Sequence, residues 1–198
     1  MLHNLFPTPV GIYKLDRDLT AKELSFLKNQ ETRSNMGNTT STNNTILKAK
    51  ELTKLRDFIE TTVSEYFTTV YSPKHRVNLK ITQSWTNYTE QGQYHHKHEH
   101  PNSFVSGVFY LNTNPDDKIY FYRDGYQQIK MPSENWNVWN SESWWFEAPQ
   151  GRLILFPSSL THMVETVKGE NTRISLSFNT FPVGQDRKST RLNSSHRT

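Results

Sequence analysis

Four of the chain's eight histidines fall within the segment YHHKHEH, Tyr94 to His100. They are His95, His96, His98 and His100. Imidazole is a ligand for zinc, copper and iron, so the run could hold a metal ion. On an extended strand alternate side chains share a face. His96, His98 and His100 would then face one side, and His95, Lys97 and Glu99 the other. Two ligands at i and i+2 reach one ion without bending the backbone, and a third must come from elsewhere. Taken alone, the run reads more readily as a solvated, histidine-rich loop, because a His-x-His pair is common.

The downstream sequence changes that balance. His162 follows FPSSL at the start of a later strand, and Arg173 opens the apolar run RISLSF eleven residues on. Arginine at the head of such a strand normally points to solvent or pairs on an edge. Ser175, two residues along, shares its face. The chain has no cysteine, so disulfides and thiolate ligation are excluded, and a metal must be held by His, Asp or Glu.

The elements that must position these residues are mostly strands. Aromatics reach 13% of the 198 residues, with five Trp, nine Tyr and eleven Phe, which suits a β-rich globule. Residues 6–15 read as a short extended segment. Thr20 and Glu23 have capping-box spacing ahead of a short helix. SNMGNTTSTNNTIL reads as a loop. Leu52, Leu55, Ile59, Val63, Tyr66 and Val70 form one apolar stripe, predicting a helix from about Ala49 to Tyr71 that covers a sheet. Beyond Pro73 the pattern alternates. VNLKITQSWTNY, SFVSGVFYLN, KIYFYR, NWNVW, SWWFEA, RLILFPS, HMVETV and RISLSFNTF read as strands separated by turns. Many short strands behind segregated helices predict a sandwich or barrel.

No segment approaches the roughly 20 apolar residues of a membrane helix. The amino terminus lacks the pattern of a secretion signal, so a cytoplasmic protein is expected. The net charge of +4 would ordinarily suggest an anionic partner. However, DRKSTRLNSSH, Asp186 to His196, matches one translated frame of a common sequencing adaptor. Residues 186–198 hold four basic residues against one acidic, so most of the charge resides there. Residues 1–185 are expected to form the domain, with a helical part over about 20–71, and the natural chain to end shortly after Phe181. Without the tail nothing favours nucleic acid.

The set HEHPNSFVSGVFYLN, LILFPSSLTHMVE and RISLSFNTF, with SWTNYTEQGQYHHKH upstream, resembles the 2-oxoglutarate and Fe(II)-dependent dioxygenases. More narrowly, it is similar to prolyl-hydroxylase-like oxygenases of bacteria and marine phages. The likeness covers roughly Ile81 to Phe181, with little matched between Asn114 and Ala148. It implies a mainly β fold, the double-stranded β-helix or jelly roll, with N-terminal α-helices packed on it. It implies an enzyme that takes Fe(II) and 2-oxoglutarate and hydroxylates a substrate with molecular oxygen, releasing succinate and CO2. The substrate, a small molecule or a peptide, is not named by the motifs. By resemblance His98 and His162 are metal ligands, Arg173 pairs with the distal carboxylate of 2-oxoglutarate, and Ser175 and Tyr110 hydrogen-bond it. Arginine suits that task because its fork can give two parallel charge-assisted bonds.

One position departs from the family. Asp or Glu usually stands two residues after the first histidine, where this chain has His100. His100 could itself bind, completing a triad of His98, His100 and His162. Glu99 could bind after a local twist, or His96 and His98 could form the pair. An all-histidine triad favours an anionic keto acid but holds Fe(II) less strongly. Two other readings remain: a non-catalytic jelly-roll binding protein, and a cupin-like three-histidine enzyme that needs no 2-oxoglutarate. Trp136, Trp139, Trp144 and Trp145 read as inner-face aromatics of two neighbouring strands rather than as a stacking platform. Asn87 and Tyr88 could face the pocket, and Phe121 to Pro132 is a candidate substrate loop.

Overall fold

The computed structural model describes residues 1–74, 76–123, 125 and 131–184. The tail at 186–198, the domain end at residue 185, and Asp124 and residues 126–130 of the candidate loop lie outside the described residues.

The alternating runs form antiparallel strands: β1 (Gly11–Lys14), β2 (Thr32–Ser34), β3 (Thr39–Ser41), β4 (Val77–Thr89), β5 (His95–His98) and β6 (Val105–Asn112). They continue as β7 (Lys118–Tyr122), β8 (Ser143–Glu147), β9 (Arg152–Pro157), β10 (His162–Val164) and β11 (Arg173–Gly184). Seven make one sheet, ordered β1-β9-β6-β11-β4-β3-β2, and four make a second, ordered β5-β10-β7-β8. This is the double-stranded β-helix, with consecutive strands from β4 to β11 shared between two facing sheets.

The outer face of the large sheet carries the helices α1 (Ala21–Lys28) and α2 (Thr53–Tyr71). Thr20 and Glu23 form the capping box at α1. Helix α2 starts later than its apolar stripe predicts, because Lys50–Leu52 close a 3-10 turn first. Leu52, Leu55, Ile59, Val63 and Tyr66 pack on Phe109, Leu155, Leu176 and Phe178 of the sheet. Val70 ends the stripe exposed, and Phe67 is buried instead. Between the sheets lies a second core, built from Val108, Tyr110, Ile119, Phe121, Ile154 and Phe156. Alternation along β6 thus divides one strand between two cores.

Gly107 marks the tightest point of the outer core. A Cβ there would lie 2.2 Å from the Phe178 ring and 2.7 Å from Leu155. Gly107→Ala is expected to cost about 1–3 kcal/mol of stability, read by denaturant unfolding. An unchanged midpoint would mean that Phe178 has room to move.

Two sequence expectations are corrected. The stretch 34–47 is not simply a loop: β2 and β3 pair as a small hairpin that extends the large sheet. NWNVW forms no strand. The Asn137 side-chain oxygen accepts hydrogen bonds from the Trp139 and Asn140 amides, closing a turn that competes with strand pairing. Trp136 and Trp139 are consequently exposed, and Trp144 and Trp145 on the edge strand β8 are more than one-third exposed. They do not form an aromatic inner layer. Among the described residues no helix is long and apolar enough to cross a membrane.

Candidate active site

The facing sheets enclose a chamber lined by side chains from both. His98 ends β5 and His162 begins β10, and the two are paired across the small sheet. His100 lies just past β5, where its backbone amide donates to the Ser158 carbonyl. Ring centroids are 4.4 Å apart for His98 and His162, 4.9 Å for His98 and His100, and 5.1 Å for His100 and His162. One nitrogen from each lies within 4.8 Å of the others. The large sheet contributes the rest of the polar lining. There stand Arg173, Ser175 and Tyr110, with Ser175 paired directly with Tyr110 in the large sheet.

Two of the three imidazoles are oriented by the backbone. His98 Nδ1 donates to the His96 carbonyl at 2.7 Å, and His162 Nδ1 to the Leu160 carbonyl at 2.9 Å. A carbonyl accepts only, so the proton sits on Nδ1 and each Nε2 keeps its lone pair for a metal. Trp85 stacks edge-on against His100 at 5.8 Å. Burial and the surrounding imidazoles push His162 down to about 3 and His100 to about 4, while His98 is also lowered, by burial first. All three are therefore neutral at pH 7, the form that ligates.

A pH dependence follows. The unfolded histidines titrate near 6.5, whereas the folded ones resist protonation far below that. As pH falls through 6.5 toward about 4 the unfolded chain gains protons that the folded chain does not. Stability of the chelator-treated protein is expected to fall steadily across that window. Thermal melts with a flat midpoint there would contradict buried, neutral imidazoles.

The other candidates are distributed as follows. Glu99 is exposed and stands apart from the triad. His96 is half-buried, with its Nδ1 3.4 Å from the Met36 carbonyl. It groups with His95 and His98 in a second, more open cluster. His95 overturns the parity reading. His162 pairs with His98 but Val164 pairs with His95, so β5 carries one extra residue, a β-bulge. The bulge turns His95 inward, where it stacks on His98 at 4.8 Å and lines the chamber. Tyr88 points away, its hydroxyl donating to the Leu27 carbonyl under α1. Asn87 is buried in the large sheet, paired with Ser175, and its amide donates to Ser177. A row of paired residues, His98, His162, Phe121 and Trp144, crosses the small sheet on one face. It forms an aromatic lane from the histidines to solvent.

The sequence reading missed Asp117. It sits in NPDD, which reads as a solvent-facing turn, yet it is buried and its Oδ1 lies 3.2 Å from Arg173 Nη1. Asp117 thus takes one hydrogen bond of the Arg173 guanidinium, which has five N–H donors in all. Burial pulls the Arg173 pKa down, while Asp117 opposes that shift. Among the described residues three buried side-chain atoms lack a hydrogen-bond partner: Arg173 Nη2, the Tyr110 hydroxyl and Asn87 Oδ1. All three belong to this corner. Burial raises the Tyr110 pKa, so its hydroxyl remains a neutral donor.

Residues 83–179, from β4 to β11, match the family described as "Putative 2OG-Fe(II) oxygenase". Over that span, 97 of the 198 residues, the chain is similar to the 2-oxoglutarate and Fe(II)-dependent oxygenases. Several solved structures share the fold of this oxygenase. One is an oxidoreductase of the 2OG-Fe(II) oxygenase family from Burkholderia pseudomallei, 13% identical, covering 81% of this chain and 76% of that one at a TM-score of 0.58. Another is a prolyl hydroxylase from Trichoplax adhaerens in complex with a hypoxia inducible factor peptide fragment, at 15%, 87%, 83% and 0.59 respectively. A third is HygX from Streptomyces hygroscopicus with nickel and 2-oxoglutarate bound, at 11%, 87%, 82% and 0.57. A search of curated proteins finds no match. The oxygenase chamber fits the two groups that name its family. Three neutral imidazoles on one side suit a divalent iron. Two buried donors without partners suit a carboxylate.

Proposed function

We propose that this oxygenase holds Fe(II) through His98, His100 and His162, and holds 2-oxoglutarate through Arg173, Tyr110 and Ser175. The observation that carries the reading is the pairing, in one chamber, of a histidine triad with the unpartnered Arg173 Nη2 and Tyr110 hydroxyl. An unmade hydrogen bond on a buried group costs about 1–3 kcal/mol, so such donors are kept for a ligand. When both are bound, iron and the keto acid supply oxygen activation, with release of succinate and CO2 and hydroxylation of a substrate.

The chain's own residues do the rest. The His96 and Leu160 carbonyls fix which ring nitrogens face the metal. Arg173 and Tyr110 anchor the distal carboxylate, and Ser175 offers a third donor, a second hydroxyl, beside Tyr110. Phe121 and Phe156 flank His162 at 6.2 and 4.7 Å and keep water from that side. The substrate, a small organic molecule or a peptide, would approach over the Phe121–Trp144 lane. The reading places the protein in the cytoplasm of a bacterial cell or an infected host.

The triad without a carboxylate favours one competing reading, a three-histidine enzyme that uses no keto acid. A buried arginine with a free prong has no task in that reading. Succinate formation from 2-oxoglutarate, assayed with and without added Fe(II), separates them. Iron-dependent succinate is expected even without substrate, at a slow uncoupled rate. No succinate across a broad substrate panel would overturn the proposal.

A further inference from the structure

Arg173 borders two cavities. In front lies the chamber described above. Behind it lies a more open cleft of about 230 Å3, lined by Asp116, Asp117, Lys118, Glu165 and Lys168 among others. The guanidinium therefore has two directions in which to turn. The rear carries the carboxylates of Asp116, Asp117 and Glu165, whereas the chamber lining has none.

Asp117 stands at the partition. Its Oδ1 accepts from Arg173 Nη1 at 3.2 Å, and its Oδ2 accepts from the Asn114 backbone amide at 2.8 Å. Asn114 is itself pinned from the other side. Its side-chain amide donates to the Asn171 carbonyl at 2.8 Å, and its side-chain oxygen accepts from the Asn171 amide at 3.1 Å. Gly169 packs so tightly on it that a Cβ would lie 2.1 Å from its oxygen. Asp117 is thus a fixed acceptor, held by the β6–β7 turn and the loop before β11. It takes one terminal nitrogen of the guanidinium, Nη1, and Nη2 is left without a partner.

We propose that Asp117 is a positioning residue that holds the Arg173 guanidinium toward the chamber and so sets the length of keto acid the site accepts. The inference rests on the co-substrate reading of the preceding subsection. It has a physical cost that argues for a purpose. A carboxylate beside the arginine repels an incoming anionic co-substrate, so for charge alone Asp117 is the wrong residue. For geometry it is the right one, because a guanidinium tethered at Nη1 swings less freely than an untethered one. The depth at which a distal carboxylate meets Nη2 and the Tyr110 hydroxyl is then fixed relative to the histidines. A chain one methylene longer would meet the pinned guanidinium too early.

The test is calorimetric binding of 2-oxoglutarate and of 2-oxoadipate, its one-methylene homologue, to Ni(II)-loaded protein. Wild type is expected to prefer 2-oxoglutarate. Asp117→Ala should weaken 2-oxoglutarate about tenfold, the loss of one oriented contact, and narrow the preference because the arginine can swing. Asp117→Asn has one acceptor where Asp117 uses two, at Arg173 and at the Asn114 amide, so it should fall between wild type and Asp117→Ala. Asn114→Ala leaves both charges and loosens the support of Asp117. It should move the preference in the direction of Asp117→Ala, which serves if that variant does not fold. Unchanged affinity and preference in Asp117→Ala would overturn the inference alone. A wild-type protein that binds neither keto acid would overturn the co-substrate reading and this inference with it.

Discussion

His162→Ala is expected to lower Fe(II) affinity by at least about 100-fold, because outer partners of metal ligands alone are worth 10–100-fold. His162 is the most buried of the three imidazoles, only 6% exposed, and the one contributed from outside the YHHKHEH run. Its Nδ1 is committed to the Leu160 carbonyl, so its ring cannot rotate to another task. Without it His98 and His100 remain as a pair on one side of the chamber, and two ligands do not define a site. Equilibrium competition against a colorimetric chelator measures the loss. The melting of the metal-free variant serves as the control, since a folded variant with lost affinity is the informative result. His95→Ala should leave the affinity within a few-fold of wild type, for His95 belongs to the other histidine group. If His95→Ala loses the metal and His162→Ala keeps it, the metal belongs to the open cluster of His95, His96 and His98.

Arg173→Lys is expected to raise the 2-oxoglutarate requirement about 10- to 150-fold, with metal affinity unchanged. A hydrogen bond to a charged group contributes about 1.5–3 kcal/mol, which converts to that range. Lysine keeps the charge and can still pair with Asp117, but it lacks a second prong to meet the carboxylate. Arginine to alanine is the less useful change. It leaves Asp117 as a buried charge without its partner, and breaking such a pair costs about 3–5 kcal/mol. A dose response for succinate release reads the lysine variant. An unmoved midpoint would remove Arg173 from the co-substrate site.

The parts of this molecule that were legible in sequence are those set by local pattern. The strands of the jelly roll show as alternation, and α1 shows as a capping box. His98, His162 and Arg173 show as a spaced series shared with a family, and His100 as the one departure from it. The parts that were not legible depend on partners distant in the chain. His95 follows strict strand parity on paper, but its facing is decided by β10, against which β5 carries one residue too many. Asp117 reads as turn punctuation, and only the arrival of Arg173, fifty-six residues later, makes it half of a buried ion pair. Trp136 and Trp139 read as strand because alternation is all a short window offers. The Asn137 side chain decides otherwise by capturing two amides.

The extra residue in β5 has a consequence for the robustness of the chamber. Because of it, His95 and His98 look into the same space although they stand three apart. Were the strand to pair regularly instead, the position two before His98 would face inward, and that residue is His96. The doublet therefore presents an imidazole in either reading frame of the strand. Loss of the extra residue's bulge, with His98 still paired to His162, would exchange one imidazole for another at that position.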